Sequence, residues 1–169
     1  EVFGWGPGLI GISLACYGLG VAFVQGLIIR LHYVRNIQPQ KIVIFSLMVG
    51  SLTLFGFGSI KTAWLVFALI PIAVLTELMN PTLDGFISNK VSDDTQGLLQ
   101  GILSSINAIT TILSPLLMTF LFKTGASPKN DYYIPGLPFY FAAILLLICI
   151  IPILRVMNSL EHAKKRSIK

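Results

Sequence analysis

The sequence predicts an all-α, polytopic membrane protein with five transmembrane helices, and three observations carry that expectation. Hydrophobic residues make up 54% of the chain and charged residues only 11%, against the roughly 25% charge of a soluble domain, and the mean hydropathy is +0.82. The apolar residues fall in five blocks, Gly8 to Leu31, Ile42 to Ser59, Trp64 to Ser88, Leu98 to Phe122 and Pro138 to Met157, each close to the ~20 residues that carry a helix across a hydrocarbon core. Backbone groups in lipid must be satisfied within the segment, so blocks this long and uniformly apolar are helices rather than barrel strands. The cations then sort by side. Arg30, Arg35, Lys41, Lys90, Arg155, Lys164, Lys165, Arg166 and Lys169 fall on one side, and Lys61, Lys123 and Lys129 on the other. By the positive-inside rule the larger group is cytoplasmic. The net charge of +5 belongs to that topology and to anionic headgroups, and it gives no footprint for nucleic acid.

The elements follow in order. Residues 1–7 read as the extracytoplasmic end of a preceding hairpin, which implies that the chain is part of a longer protein. The bundle is expected over 8–157. Block one carries Gln25 near its end, and blocks one and two carry Gly18, Gly20, Gly50, Gly56 and Gly58, small residues that let helices approach closely. Block three carries two carboxylates, Glu77 and Asp84, with Pro81 between them. Block four is preceded by Asp93, Asp94 and Thr95, an expected helix cap with acidic residues at the positive end of the dipole. It contains Asn107 and a bend at Pro115. Block five leads into a basic cytoplasmic tail over 158–169, and the aromatic residues Trp5, Trp64, Tyr132, Tyr133, Phe139 and Tyr140 gather at the outer interface. Cys16 and Cys149 sit in different blocks as small packing residues. His32 and His162 have no partner at metal-ligand spacing, and no metal site is expected. No phosphate loop or nucleophile motif is present, so no enzyme chemistry is expected.

The third block holds the chemistry. Continued as a helix, Glu77, Pro81, Asp84 and Ser88 stand at i, i+4, i+7 and i+11 and form one polar stripe. Glu77 falls near the midplane, and Asp84 lies about 10 Å closer to the cytoplasm at 1.5 Å per residue. A charge at the bilayer centre costs at least about 3 kcal/mol, so the stripe faces the bundle or a water-filled cavity. Pro81 has no amide hydrogen, so the carbonyl of Glu77 itself loses its helical partner. Broken helices at membrane depth are tolerated where they line cavities. Protonation removes the charge penalty, which makes Glu77 a candidate proton carrier; the alternative is a neutral structural carboxyl bonded to a neighbouring helix. Asp84 is a candidate for substrate contact or for a latch towards Lys90. Gln25 and Asn107 are further candidates for substrate contact, with interhelical hydrogen bonding as the alternative.

"GISLACYGLG" at 11–20, "NPTLDGFISNKVSDDTQGLLQG" at 80–101, "ILSPLLMTFLF" at 112–122 and "PGLPFYFAA" at 135–143 together resemble the carboxyl-terminal half of the major facilitator superfamily, in its tetracycline/proton antiporter branch. In that branch the tenth helix carries a proline, and a cytoplasmic QG-x-x-QG leads into the eleventh. Pro81, Gln96, Gly97, Gln100 and Gly101 match both without a gap. The resemblance implies that the five blocks are helices eight to twelve. Gly26, Arg30, Arg35 and Lys41 are similar to the family's basic gating loop, though without its aspartate or the glycine before the basic pair. Ser114-Pro115 stands where Gly-Pro is usual in helix eleven, and Asp84 stands where an uncharged polar residue is commoner. The family implies helix-break and gating roles for Pro81, Pro115, Arg30, Arg35, Gln96, Gly97, Gln100 and Gly101. It further implies secondary transport powered by a proton gradient, without a cofactor, in a bacterial inner membrane with the carboxyl terminus in the cytoplasm. The expected partners are a small-molecule substrate, membrane lipid and the remaining helices of the same transporter, its amino-terminal six and the seventh. Proton-coupled efflux of a small amphiphilic compound or drug is the leading expectation. The alternatives are nutrient or metabolite uptake by the same fold and a non-transporting membrane scaffold.

Overall fold

The computed structural model describes residues 4–28, 37–89, 91–127 and 133–167, and every regular element among them is helical. Helix α1 (Pro7–Phe23) ends in a π turn, Val24–Ile28. Helix α2 spans Pro39–Ser59, α3 Ala63–Leu75 and α4 Met79–Ser88, with a 3-10 turn at Thr76–Leu78 joining the last two. Helix α5 spans Asp93–Gly125 and α6 Leu137–Ser167. Both α1 and α2 open on a proline, whose missing amide hydrogen falls where a helix has no partner to offer it. Five segments are long and apolar enough to cross a membrane: Pro7–Gly26, Pro39–Ser59, Ala63–Ser88, Asp94–Gly125 and Leu137–Met157. The protein is a multi-pass integral membrane protein, and one of these spans falls in each of the five expected blocks.

Two boundaries differ from the sequence reading. Helix α5 begins at Asp93 rather than near Leu98, with Ser92 as the residue before its first turn and the Ser92 and Thr95 hydroxyls 3.0 Å apart. Helix α6 continues past Met157 to Ser167 and takes the expected basic tail into the helix. Residues 158–167 contain neither glycine nor proline and several strong helix formers, so nothing local ends the helix sooner. Arg30, Arg35 and Lys90 lie outside the described residues.

Helix α2 is the centre of the bundle and packs against α6, α3 and α4. With lipid on the outside there is little hydrophobic drive between helices, so association depends on close contact and interhelical hydrogen bonds. Glycines supply the contact. A Cβ at Gly58 would lie 2.8 Å from the Tyr140 ring, and one at Gly136 would overlap the Gly58 carbonyl, so the α2 and α6 backbones meet directly there. Gly50 and Gly56 give similar room, Gly20 lets α1 approach Val74 of α3, and Gly18 faces open space. Ser51 Oγ donates to the Ala143 carbonyl at 3.1 Å between α2 and α6. Two cores form: Val24, Ile70, Val74 and Leu78 between α1 and α3–α4, and Val43, Leu47 and Met157 between α2 and α6. Rings pack at one end of the bundle, Trp5 and Trp64 on Phe67, Phe55 on Tyr140 and Phe57 on Phe139.

Candidate functional site: a carboxylate at a helix break

The break between α3 and α4 falls on Glu77. Pro71 inside α3 and Pro81 inside α4 remove two amide donors on either side of it, and the chain between them tightens into the 3-10 turn Thr76–Leu78. Sequence reasoning identified Pro81 and missed Pro71, which sits in an unbroken apolar run. The stripe expected from a continuous helix differs in burial along its length. Glu77 turns inward towards α1 and is partly buried, whereas Asp84 is exposed and has no ion pair among the described residues.

Glu77 is held from two sides. The Tyr17 hydroxyl of α1 donates to Oε1 at 2.6 Å, and Asn80 Nδ2, one turn along, donates to Oε2 at 3.3 Å. The carboxylate lines a half-open cavity of about 240 Å³ bounded by α1, α2, α3 with its 3-10 turn, the start of α4, and α6. Its polar lining is Tyr17, Ser46, Thr53, Thr76, Glu77 and Asn80, and its apolar lining includes Leu47, Leu54, Phe57 and Leu146. Ser46 is 2% exposed, and its hydroxyl has no hydrogen-bond partner. It is buried because Val43, Ser46, Leu47, Gly50 and Thr53 recur at helical spacing on the inward face of α2. Neither Tyr17 nor Ser46 was visible as a site residue in the sequence, where a tyrosine or serine in an apolar block reads as packing. Gln40 Nε2, at the start of α2, is a second buried group without a partner, away from this cavity.

The other candidates are dispersed. Gln25 lies exposed in the π turn of α1, which packs against the 3-10 turn of the broken helix. Gln96, Gly97, Gln100, Gly101, Asn107 and Pro115 all lie on α5 and are exposed. Helix α5 packs mainly along α6, and its most apolar window has no buried residue. Gln96, Gln100, Ser104, Asn107, Thr111 and Ser114 fall at i, i+4, i+8, i+11, i+15 and i+18, one uncovered polar row within an arc of about 80°. Sequence reasoning proposed three of these residues, Gln96, Gln100 and Asn107, as candidates without the row. The structure thus brings Glu77, Asn80 and Tyr17 together and leaves Asp84, Gln25 and Asn107 apart from them. Arg30 and Arg35, the gating pair, lie outside the described residues.

Residues 1–169 match the family model described as Major Facilitator Superfamily. Among relatives, "Tetracycline resistance protein, class E" of Escherichia coli is 29% identical over 148 residues, covering 87% of this chain and 36% of that protein. "Tetracycline resistance protein, class D" of Salmonella ordonez is 30% identical over 151 residues, covering 88% and 37%. "Hippocampus abundant transcript-like protein 1" of Mus musculus is 27% identical over 163 residues, covering 87% and 32%. The chain spans about a third of the length of these relatives. No solved structure matches it. With a family model matched from end to end, the chain belongs to the major facilitator superfamily.

Proposed function

We propose that the chain is the carboxyl-terminal part of a proton-coupled secondary transporter that exports a small amphiphilic compound, with Glu77 as the proton-carrying group. The observation that carries the reading is a partly buried carboxylate on a broken membrane helix, lining a cavity and bonded to Tyr17 at 2.6 Å. A scaffold has no use for a midplane acid at a helix break. The tetracycline in the names of several relatives makes that compound the first substrate to try, and nutrient uptake by the same fold is the competing reading on direction. The rest of the transporter, an amino-terminal six-helix half and a seventh helix, supplies the other wall of the substrate cavity. The larger cationic side, with the carboxyl terminus, faces the cytoplasm of a bacterial inner membrane.

In this mechanism proton and substrate compete for the same carboxylate. The ionised form binds substrate, and protonation removes the charge penalty and releases it. Each charge moved across 100 mV contributes about 2.3 kcal/mol. In proteoliposomes of the assembled transporter, Glu77→Gln is expected to abolish tetracycline flux driven by a pH gradient while leaving the protein folded. Wild-type flux in that variant would refute the assignment.

A further inference from the structure

Helix α1 meets the broken helix through contacts that are apolar but for one. Gly20 lets α1 close on Val74 of α3, and Val24 joins Ile70, Val74 and Leu78 in a core against which Tyr17 and Val21 pack. The π turn of α1 rests on the 3-10 turn that carries Glu77. Apolar packing of this kind is indifferent to the binding of a proton. Among the described residues, the one side-chain hydrogen bond from α1 to another helix runs from the Tyr17 hydroxyl to Glu77 Oε1, at 2.6 Å. A hydrogen bond to an ionised acceptor is roughly twice as strong as one to a neutral acceptor. The hold of α1 on the break therefore contains a single contact whose strength follows the charge of the carboxylate.

We infer that Tyr17 ties α1 to the break while Glu77 is ionised and slackens when Glu77 binds a proton, so that the charge of the carboxylate sets how α1 sits against α3 and α4. The inference rests on the proton-carrier reading of Glu77 given above, and it names the helix that the proton moves. The proton arrives at a carboxylate oxygen from outside the pair, and Tyr17 keeps its own throughout. Tyr17 is thus a positioning residue. The groups facing Glu77 leave the response to this pair. Asn80 of α4 donates to Oε2 at 3.3 Å, but it belongs to the broken helix itself and gives no hold on α1. Helix α2 presents Ser46, Leu47, Thr53 and Phe57 to the cavity and α6 presents Leu146, none of them charged, and Asp84 lies outside the cavity lining.

The test uses the assembled transporter with Cys16 and Cys149 replaced by serine and spin labels at Leu19 of α1 and Ile72 of α3, both exposed. Dipolar broadening between the labels reads how closely the two helices sit. In the parent the broadening is expected to fall as the pH is lowered, following the titration of one group. In Tyr17→Phe, which keeps the ring and removes only the oxygen, and in Glu77→Gln, which keeps the shape and removes the charge, the response to pH is expected to be lost, with the helices no closer than in the parent at acid pH. Asp84→Asn is expected to retain the response. A response that persists in Tyr17→Phe, or that disappears in Asp84→Asn, overturns the tie. Absence of any response in the parent, with pH-driven flux still abolished by Glu77→Gln, overturns the tie and leaves the proton-carrier reading standing. Wild-type flux in Glu77→Gln overturns the proton-carrier reading, whatever the labels show.

Discussion

Tyr17 and Glu77 show how a site residue can be plain in the sequence while its partner is hidden. Glu77 stands out because a carboxylate in an apolar block carries a penalty of about 3 kcal/mol that something must offset. Tyr17 carries no such penalty, and it reaches Glu77 only because α1 and the broken helix pack together 60 residues apart in the chain. A hydrogen bond to a charged group contributes about 1.5–3 kcal/mol. Tyr17→Phe keeps the ring and removes only the donor, so it is expected to lower stability by roughly 1–2 kcal/mol for this partly buried pair. Thermal unfolding in detergent checks it: an unchanged midpoint would mean the hydroxyl contributes nothing to holding the carboxylate. Ser46 was equally illegible, since a serine in an apolar helix bonds its own backbone or a neighbour in most settings, and its unpaired hydroxyl appears only once the inward face of α2 is buried.

At the level of elements, helix existence was legible and helix irregularity only in part. Long apolar runs specify spans because lipid permits no other backbone. The depth of a break depends on which donors are missing and what packs opposite. Pro81 alone predicted a loosened Glu77 carbonyl; the structure adds a 3-10 turn at Thr76–Leu78, seated against the π turn of α1. Turns of both kinds are commonly found as hinges or at functional sites. Pro81→Ala returns an amide to the Glu77 carbonyl. It is expected to favour a continuous helix across Glu77, and to slow transport in the same preparation. Unchanged transport would detach the break from function. Glycines give a sharper structural test. Gly136→Ala places a methyl against the Gly58 carbonyl, where no side chain can yield, and is expected to destabilise by about 3 kcal/mol or more. Gly97→Ala, with open space around it, is expected to be neutral or better because alanine is the stronger helix former. Thermal unfolding of the two variants side by side decides whether the α2–α6 contact is as close as drawn.

For the whole molecule, α5 raises the question of what covers a membrane helix whose polar side is bare. Its row of Gln96, Gln100, Ser104, Asn107, Thr111 and Ser114 is exposed throughout, although Thr111 Oγ1 bonds the Asn107 carbonyl within the helix. Two glutamines and an asparagine facing lipid would be unfavourable, because polar side chains in hydrocarbon need partners. In the transporter proposed here, the row faces the substrate cavity or the helices of the other half. Replacing Gln100 and Asn107 together with leucine separates these settings. The substitution removes no contact within the described bundle, so its unfolding temperature should hold. If the row faces lipid, the variant should insert at least as well as the parent and transport at the parental rate. If the row faces the cavity or the other half, tetracycline flux in proteoliposomes should fall about tenfold or more, the effect of losing one to two hydrogen bonds at about 1 kcal/mol each. Undiminished flux would remove the polar row of α5 from the transport path.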